Sequence, residues 1–153
     1  MIVKFKKLDR NAKIPKYMSD TAAGMDLYTT IKTPVCIHPG GLEYFPTGLA
    51  MEMTPEEKDG NTNFAAFVFG RSGLGCRHGI HPANAVGVID SDYRGEITVG
   101  LCNVSKRSYI INPGDRIAQL VIMPVITPTA VIETETLSDT ERGKNGFGST
   151  GKE

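Results

Sequence analysis

The sequence predicts an all-β domain of the sandwich, jelly-roll or barrel kind. Three observations carry that expectation. Short apolar runs rich in β-branched and aromatic residues recur along the chain, seventeen Gly and nine Pro break it into pieces, and helix signals are scarce. A chain of 153 residues fits one domain. Domains of that size bury roughly 68–70% of their unfolded surface, enough for a real core.

The expected strands, in order, are 2–6, 24–29, 34–38, 43–53, 64–69, 85–89, 96–104, 108–111, 116–124 and 130–136. Each is an apolar or alternating run bounded by turn residues. Two short helical turns are expected. Thr54-Pro55-Glu56-Glu57 has an N-cap, a first-turn proline and a capping-box glutamate, but Gly60 follows closely. Ser72–His78 is the other, weakened by glycines within and just after it. Composition changes near Leu137. The remainder, SDTERGKNGFGSTGKE, has one large apolar residue, Phe147, and four glycines. The expected division is therefore a β core over 1–136 and a mobile arm over 137–153, poised to order on binding.

Charge and composition exclude several classes. Lys plus Arg and Asp plus Glu number 17 each, so neither nucleic acid nor a membrane surface should be attracted non-specifically. No apolar run approaches the ~20 residues of a membrane span, and the opening MIVKFKKLDR lacks the apolar stretch of a signal peptide. The three cysteines, Cys36, Cys76 and Cys102, are odd in number and widely spaced. Buried, reduced thiols in an intracellular protein are expected.

The stretch GVIDSDYRG, 87–95, is the most informative. It sets Asp90, Asp92 and Tyr93 between two apolar runs that read as a β-hairpin. A carboxylate at a strand end has a stiff base and a loop before it, a good position for a general base. Anion-binding residue types occur at Gly70-Arg71-Ser72-Gly73, at Pro113–Gln119, and at Arg142-Gly143 with Gly146–Gly151. Arg71 by itself is equally well a solvated turn residue, and Gln119 by itself is best explained by a structural hydrogen bond within a sheet. Asp26 alternates with Met25 and Leu27, which predicts a solvent-facing side chain. Gly146-x4-Gly151-Lys152 imitates a phosphate-binding P-loop, but Glu153 stands where the magnesium-binding hydroxyl belongs, so that reading is rejected. Cys76-x-His78-x2-His81 has metal-ligand types without an evident fourth ligand.

Taken in order, five segments resemble the trimeric dUTPase family along nearly the whole chain. They are AAGMDLY (22–28), GRSGLG (70–75), GVIDSDYRG (87–95), PGDRIAQ (113–119) and RGKNGFGSTG (142–151). The resemblance implies a β-rich jelly roll of the β-clip type, a homotrimer with shared active sites, and a glycine-rich arm closing over a neighbour's site. It implies magnesium-dependent hydrolysis of dUTP to dUMP and pyrophosphate inside the cell, limiting uracil in DNA and supplying dUMP for thymidylate synthesis. No membrane and no stable nucleic-acid partner are implied.

Roles follow residue by residue from the same resemblance. Asp90 activates the attacking water and contacts the sugar 3′-hydroxyl. Tyr93 packs under the deoxyribose and leaves no room for a 2′-hydroxyl. Asn84, with the backbone around Gly87, Val88, Ile89 and Thr98, reads uracil. Arg71, Ser72 and Gly73 bind phosphate, and Gln119 meets the α-phosphate. Arg142, Ser149 and Thr150 hold the γ-phosphate, Phe147 stacks on uracil, and Gly148 lies in the same substrate-binding segment. Asp26 binds magnesium through water. Gly70, where many family members have proline, and Lys144-Asn145 depart from the pattern. Two alternatives stay open: a dCTP deaminase or bifunctional relative, and a nucleotide-sensing regulator acting through a protein partner.

Overall fold

The structure is a computed structural model, described for residues 1–54 and 62–146. Among them the strands are β1 (Ile2–Lys7), β2 (Met25–Tyr28), β3 (Val35–Ile37), β4 (Leu42–Pro46), β5 (Leu49–Thr54), β6 (Thr62–Phe69), β7 (Ile80–Pro82), β8 (Gly87–Ile89), β9 (Thr98–Asn103), β10 (Tyr109–Ile111) and β11 (Arg116–Ile126). One helix, α1 (Ser72–His78), separates β6 from β7. The all-β expectation holds.

The strands form four small sheets: β1-β5, β10-β3, β2-β11-β6-β8 and β4-β9-β7, every pairing antiparallel. Their inner faces share one core. Leu27, Ile37, Phe45, Leu101, Ile111, Ile117 and Leu120 are wholly enclosed in it. Burial of such side chains contributes roughly 1.5–3 kcal/mol each before entropy is counted. The wholly buried amide of Asn103 is satisfied: its Nδ2 donates to the carbonyls of Ile37 and Arg107, and its Oδ1 accepts from Ser105. Long β11 is the spine, paired with β2 on one edge and with the full length of β6 on the other.

Four expectations need correction. The run 43–53 is two strands, because Thr47-Gly48 turns the chain and Gly48 takes a left-handed φ of +65°. The segment 130–136 forms no strand. From Pro128 to Gly146 every residue is exposed, and none of them pairs with a strand among the described residues. The short strand β7 was not anticipated; its Pro82 belongs to an edge, where a missing N–H is tolerated. The thiols are not all buried, since Cys76 is exposed and Cys36 and Cys102 are half-buried; all three are free.

The expected helical turn at Ser72–His78 is a real helix. Leu74 buries its side chain, Arg77 and His78 suit the negative end of the dipole, and Gly79 closes the helix at φ +68°. Most of the other turn, 55–57, lies outside the described residues; Thr54 ends β5.

Candidate active site

The two apolar runs flanking Asp90 do not form the expected hairpin. β8 pairs with β6, through Ala66↔Ile89, Phe67↔Val88 and Val68↔Gly87. β9 pairs with β4 along its length and with β7 at its far end. The turn between β8 and β9 thus joins two different sheets. Each strand satisfies one edge elsewhere, and the gap between them is a cavity of about 420 Å³. That is within the ~300–1,000 Å³ range of small-molecule sites.

Seven of the predicted residues line this cavity: Asn84, Gly87, Val88, Ile89, Asp90, Tyr93 and Thr98. Asp90 follows the buried Ile89 and is exposed. Its carbonyl accepts the Tyr93 N–H at 3.1 Å, closing the turn. Asn84 is aimed by an unusual backbone. Ala85 has φ +62°, the only positive value among described non-glycine residues, and the Val86 N–H donates to the Asn84 carbonyl at 2.7 Å. This is a γ-turn of the rare, strained hand. The Ala83 N–H, bonded to the Gly100 carbonyl at 2.9 Å, ties the turn to β9.

Sequence reasoning missed other parts of the wall. Tyr44 on β4, Val68 on β6, Glu96 and Gly100 also line the cavity. Glu96 follows GVIDSDYRG directly and was open to suspicion on proximity alone. Tyr44 and Val68 reach the cavity through strand pairings remote in sequence, and no local signal marks them.

The anion-binding residues gather elsewhere. Asp26 is buried rather than solvent-facing. Arg71 Nε donates to its Oδ1 at 2.8 Å and Arg116 Nη1 to its Oδ2 at 3.0 Å. Alternation failed because two arginine side chains cover the outer face of β2. Arg71 Nη1 also donates to the Arg116 carbonyl at 3.2 Å. Gln119 lies beside Asp26 in the β11–β2 register, and its Nε2 donates to the Gly70 carbonyl at 2.9 Å. The structural hydrogen bond expected of a lone sheet amide is therefore present. Ser72 and Gly73 open α1 and are exposed.

Neither Arg71, Ser72, Gly73, Gln119 nor Asp26 lines the cavity. One chain thus separates a small-molecule-sized pocket from the Arg71–Asp26–Arg116 cluster. Arg142 is in neither: its Nε donates to the Asn145 carbonyl at 2.9 Å, within its own exposed turn. Phe147, Gly148, Ser149 and Thr150 lie outside the described residues.

Comparison with known proteins agrees with the motif order. The dUTPase family model matches residues 10–151. A deoxyuridine 5′-triphosphate nucleotidohydrolase of Nautilia profundicola is 47% identical over 152 residues, covering 99% of this chain and 100% of its own length. One of Thermoanaerobacter sp. is 44% identical, with 99% and 98% covered. Among solved structures, the Staphylococcus bacteriophage 80alpha dUTPase with dUPNHPP superposes at a TM-score of 0.83, with 27% identity and 98% of each chain covered. A match over almost the whole length, at identities above 40%, leaves no room for a chance likeness of fold alone, and the chain belongs to the dUTPase family.

Proposed function

We propose that the protein hydrolyses dUTP to dUMP and pyrophosphate, with Asp90 as the general base. The observation that carries this is the cavity between β8 and β9, with an exposed carboxylate and a tyrosine in its wall. β8 has an edge not used by β6, and Thr98 and Val99 have edges not used by β4 or β7. Such backbone edges can satisfy the donors and acceptors of a uracil ring while excluding a 5-methyl group by shape. Asn84 adds a side-chain amide to that reading, and the Tyr93 ring walls the sugar. Asp90 then takes a proton from a water aligned with the α-phosphorus as that water attacks in line. The phosphorus–oxygen bond to pyrophosphate breaks, and the water's oxygen remains on dUMP. Phosphoryl chemistry of this kind asks mainly for positioning and charge neutralisation.

Neutralisation falls to Arg71, Ser72, Gly73 and Gln119, and to Arg142 with Ser149 and Thr150 from the arm; Phe147 would cover the base and Gly148 allow the close approach. Because the arginine cluster and the cavity are separate in one chain, we assign them to different copies within a homotrimer. Each site then takes its nucleoside pocket from one subunit and phosphate ligands from another.

Magnesium fits this site only as the triphosphate's companion. No group of three or more metal-ligating side chains occurs among the described residues, and both Asp26 oxygens already face guanidinium groups. Magnesium commonly keeps its waters and leans on substrate phosphates, so Asp26 accepting from a metal-bound water is sufficient. When bound, the ion screens the phosphates and helps hold them in line. The dUTP pool is inside the cell, and the protein is assigned there.

The test is pyrophosphate release from dUTP, dTTP, dCTP and UTP, each with magnesium, together with ammonia release from dCTP. Turnover of dUTP alone supports the assignment. Ammonia from dCTP, or equal turnover of all four nucleotides, defeats it.

A further inference from the structure

We infer that Gly95 and Glu96 form a seat for the Tyr93 ring and thereby set the discrimination between deoxyribose and ribose. The inference rests on the sugar-wall role of Tyr93 proposed above. Tyr93 Oη donates to the Glu96 carbonyl at 3.1 Å, so the phenol is tied to backbone and the ring is left to face the cavity. The ring crosses directly over Gly95. A Cβ there would run into the phenol oxygen and lie 2.5 Å from Cζ and 3.0 Å from Cε2, so any side chain at position 95 displaces the ring.

The Glu96 carbonyl is itself held in place. The Glu96 carboxylate accepts the Gly48 N–H at 2.7 Å. Gly48 is buried and cannot shift easily: a Cβ at that position would be 2.9–3.0 Å from Asp9, Ala12 and Thr30. One residue on, the Ile97 carbonyl accepts from Thr47 Oγ1 at 2.6 Å and from the Thr47 N–H at 3.1 Å, and the Ile97 N–H donates to Leu49 at 2.8 Å. The chain of support runs from the β4–β5 turn through Glu96 to the phenol. Glu96 is a positioning residue in this arrangement. It acts through Tyr93, although it too lines the cavity.

A hydroxyl is small, so a ring must be held tightly to exclude it. Loosening the seat admits the 2′-hydroxyl without removing the ring. The experiment compares kcat/KM for dUTP and for UTP in the full-length protein with magnesium, for wild type, Glu96→Gln, Glu96→Ala, Gly95→Ala and Tyr93→Phe. The dUTP/UTP ratio should fall about tenfold or more in Glu96→Ala and Gly95→Ala, the scale of one misfitted group in a pocket. Glu96→Gln keeps an acceptor for the Gly48 N–H and should hold the wild-type ratio. Tyr93→Phe removes only the tether, leaves Gly48 satisfied, and should lower the ratio even if Glu96→Ala fails to fold. An unchanged ratio in Tyr93→Phe and Gly95→Ala overturns the seat while leaving the hydrolase assignment intact. A glutamine variant as poor as the alanine one also overturns it. Failure of the wild type to release pyrophosphate from dUTP defeats the hydrolase assignment itself, and the seat with it.

Discussion

Two aspartates illustrate how environment divides like residues. Asp26 is buried and has a guanidinium on each oxygen. Asp90 is exposed, and its carboxylate has no ion-pair partner among the described residues. Both Asp26 oxygens are occupied by arginine donors, whereas the Asp90 carboxylate at a strand end is open to a water. Asp90→Asn is therefore expected to bind nucleotide normally and to lose at least the ~10²–10⁴-fold typical of a general base. Calorimetric titration with a non-hydrolysable dUTP analogue, beside steady-state pyrophosphate release, checks both halves. Near-normal turnover would remove Asp90 from the mechanism. The exposure of Asp90 was legible from its place after an apolar run. The burial of Asp26 was not, because alternation describes a strand's own faces and not the side chains that reach over them from elsewhere.

At the scale of elements, the β7–β8 connection stores strain beside the pocket. Ala85 is held at φ +62°, a conformation that costs an L-residue about 1–2 kcal/mol. Glycine there removes that cost and adds only about 0.4–1 kcal/mol of unfolded-state entropy. Relief exceeds loss, so Ala85→Gly is expected to raise stability by about 0.5–1 kcal/mol in urea denaturation. A destabilised Ala85→Gly protein would mean that Ala85 is not strained in solution. The Gly87 start of β8 was foreseeable only in part: apolar character begins at Ala85, but the γ-turn delays the strand by two residues. The α1 helix survived its glycines because Leu74 reaches the core and Gly79 provides the cap, which outweighs propensity in so short an element.

For the whole molecule, the last packed strand ends at Ile126, and Val131, Ile132 and Leu137 are 81–89% exposed on the segment beyond. Apolar side chains so uncovered favour burial, and the homotrimer proposed above offers a neighbouring surface for it. They lie at or before position 137, so cutting the chain after Leu137 spares them. It removes Arg142, Phe147, Ser149 and Thr150. The shortened protein is expected to elute with the full-length protein, as the homotrimer proposed above, and to lose about 10²-fold or more in dUTP turnover, the scale of lost substrate positioning. Elution as a monomer on a sizing column would mean that the terminal residues hold the assembly together instead.

The amino-acid sequence alone determined the class of fold, most strand positions, the motif order that marks the family, and the carboxylate at a strand end. All of these depend on neighbours along the chain: alternation, turn residues and spacing. Only tertiary structure decided that the strands around Asp90 belong to separate sheets, that a cavity opens between them, and that Tyr44, Val68 and Glu96 share its wall. Those outcomes depend on β6 meeting β8 and β4 meeting β9, with the β4–β9 partners more than fifty positions apart. The choice of partner edge is made by global packing and the satisfaction of backbone hydrogen bonds, which no local pattern encodes.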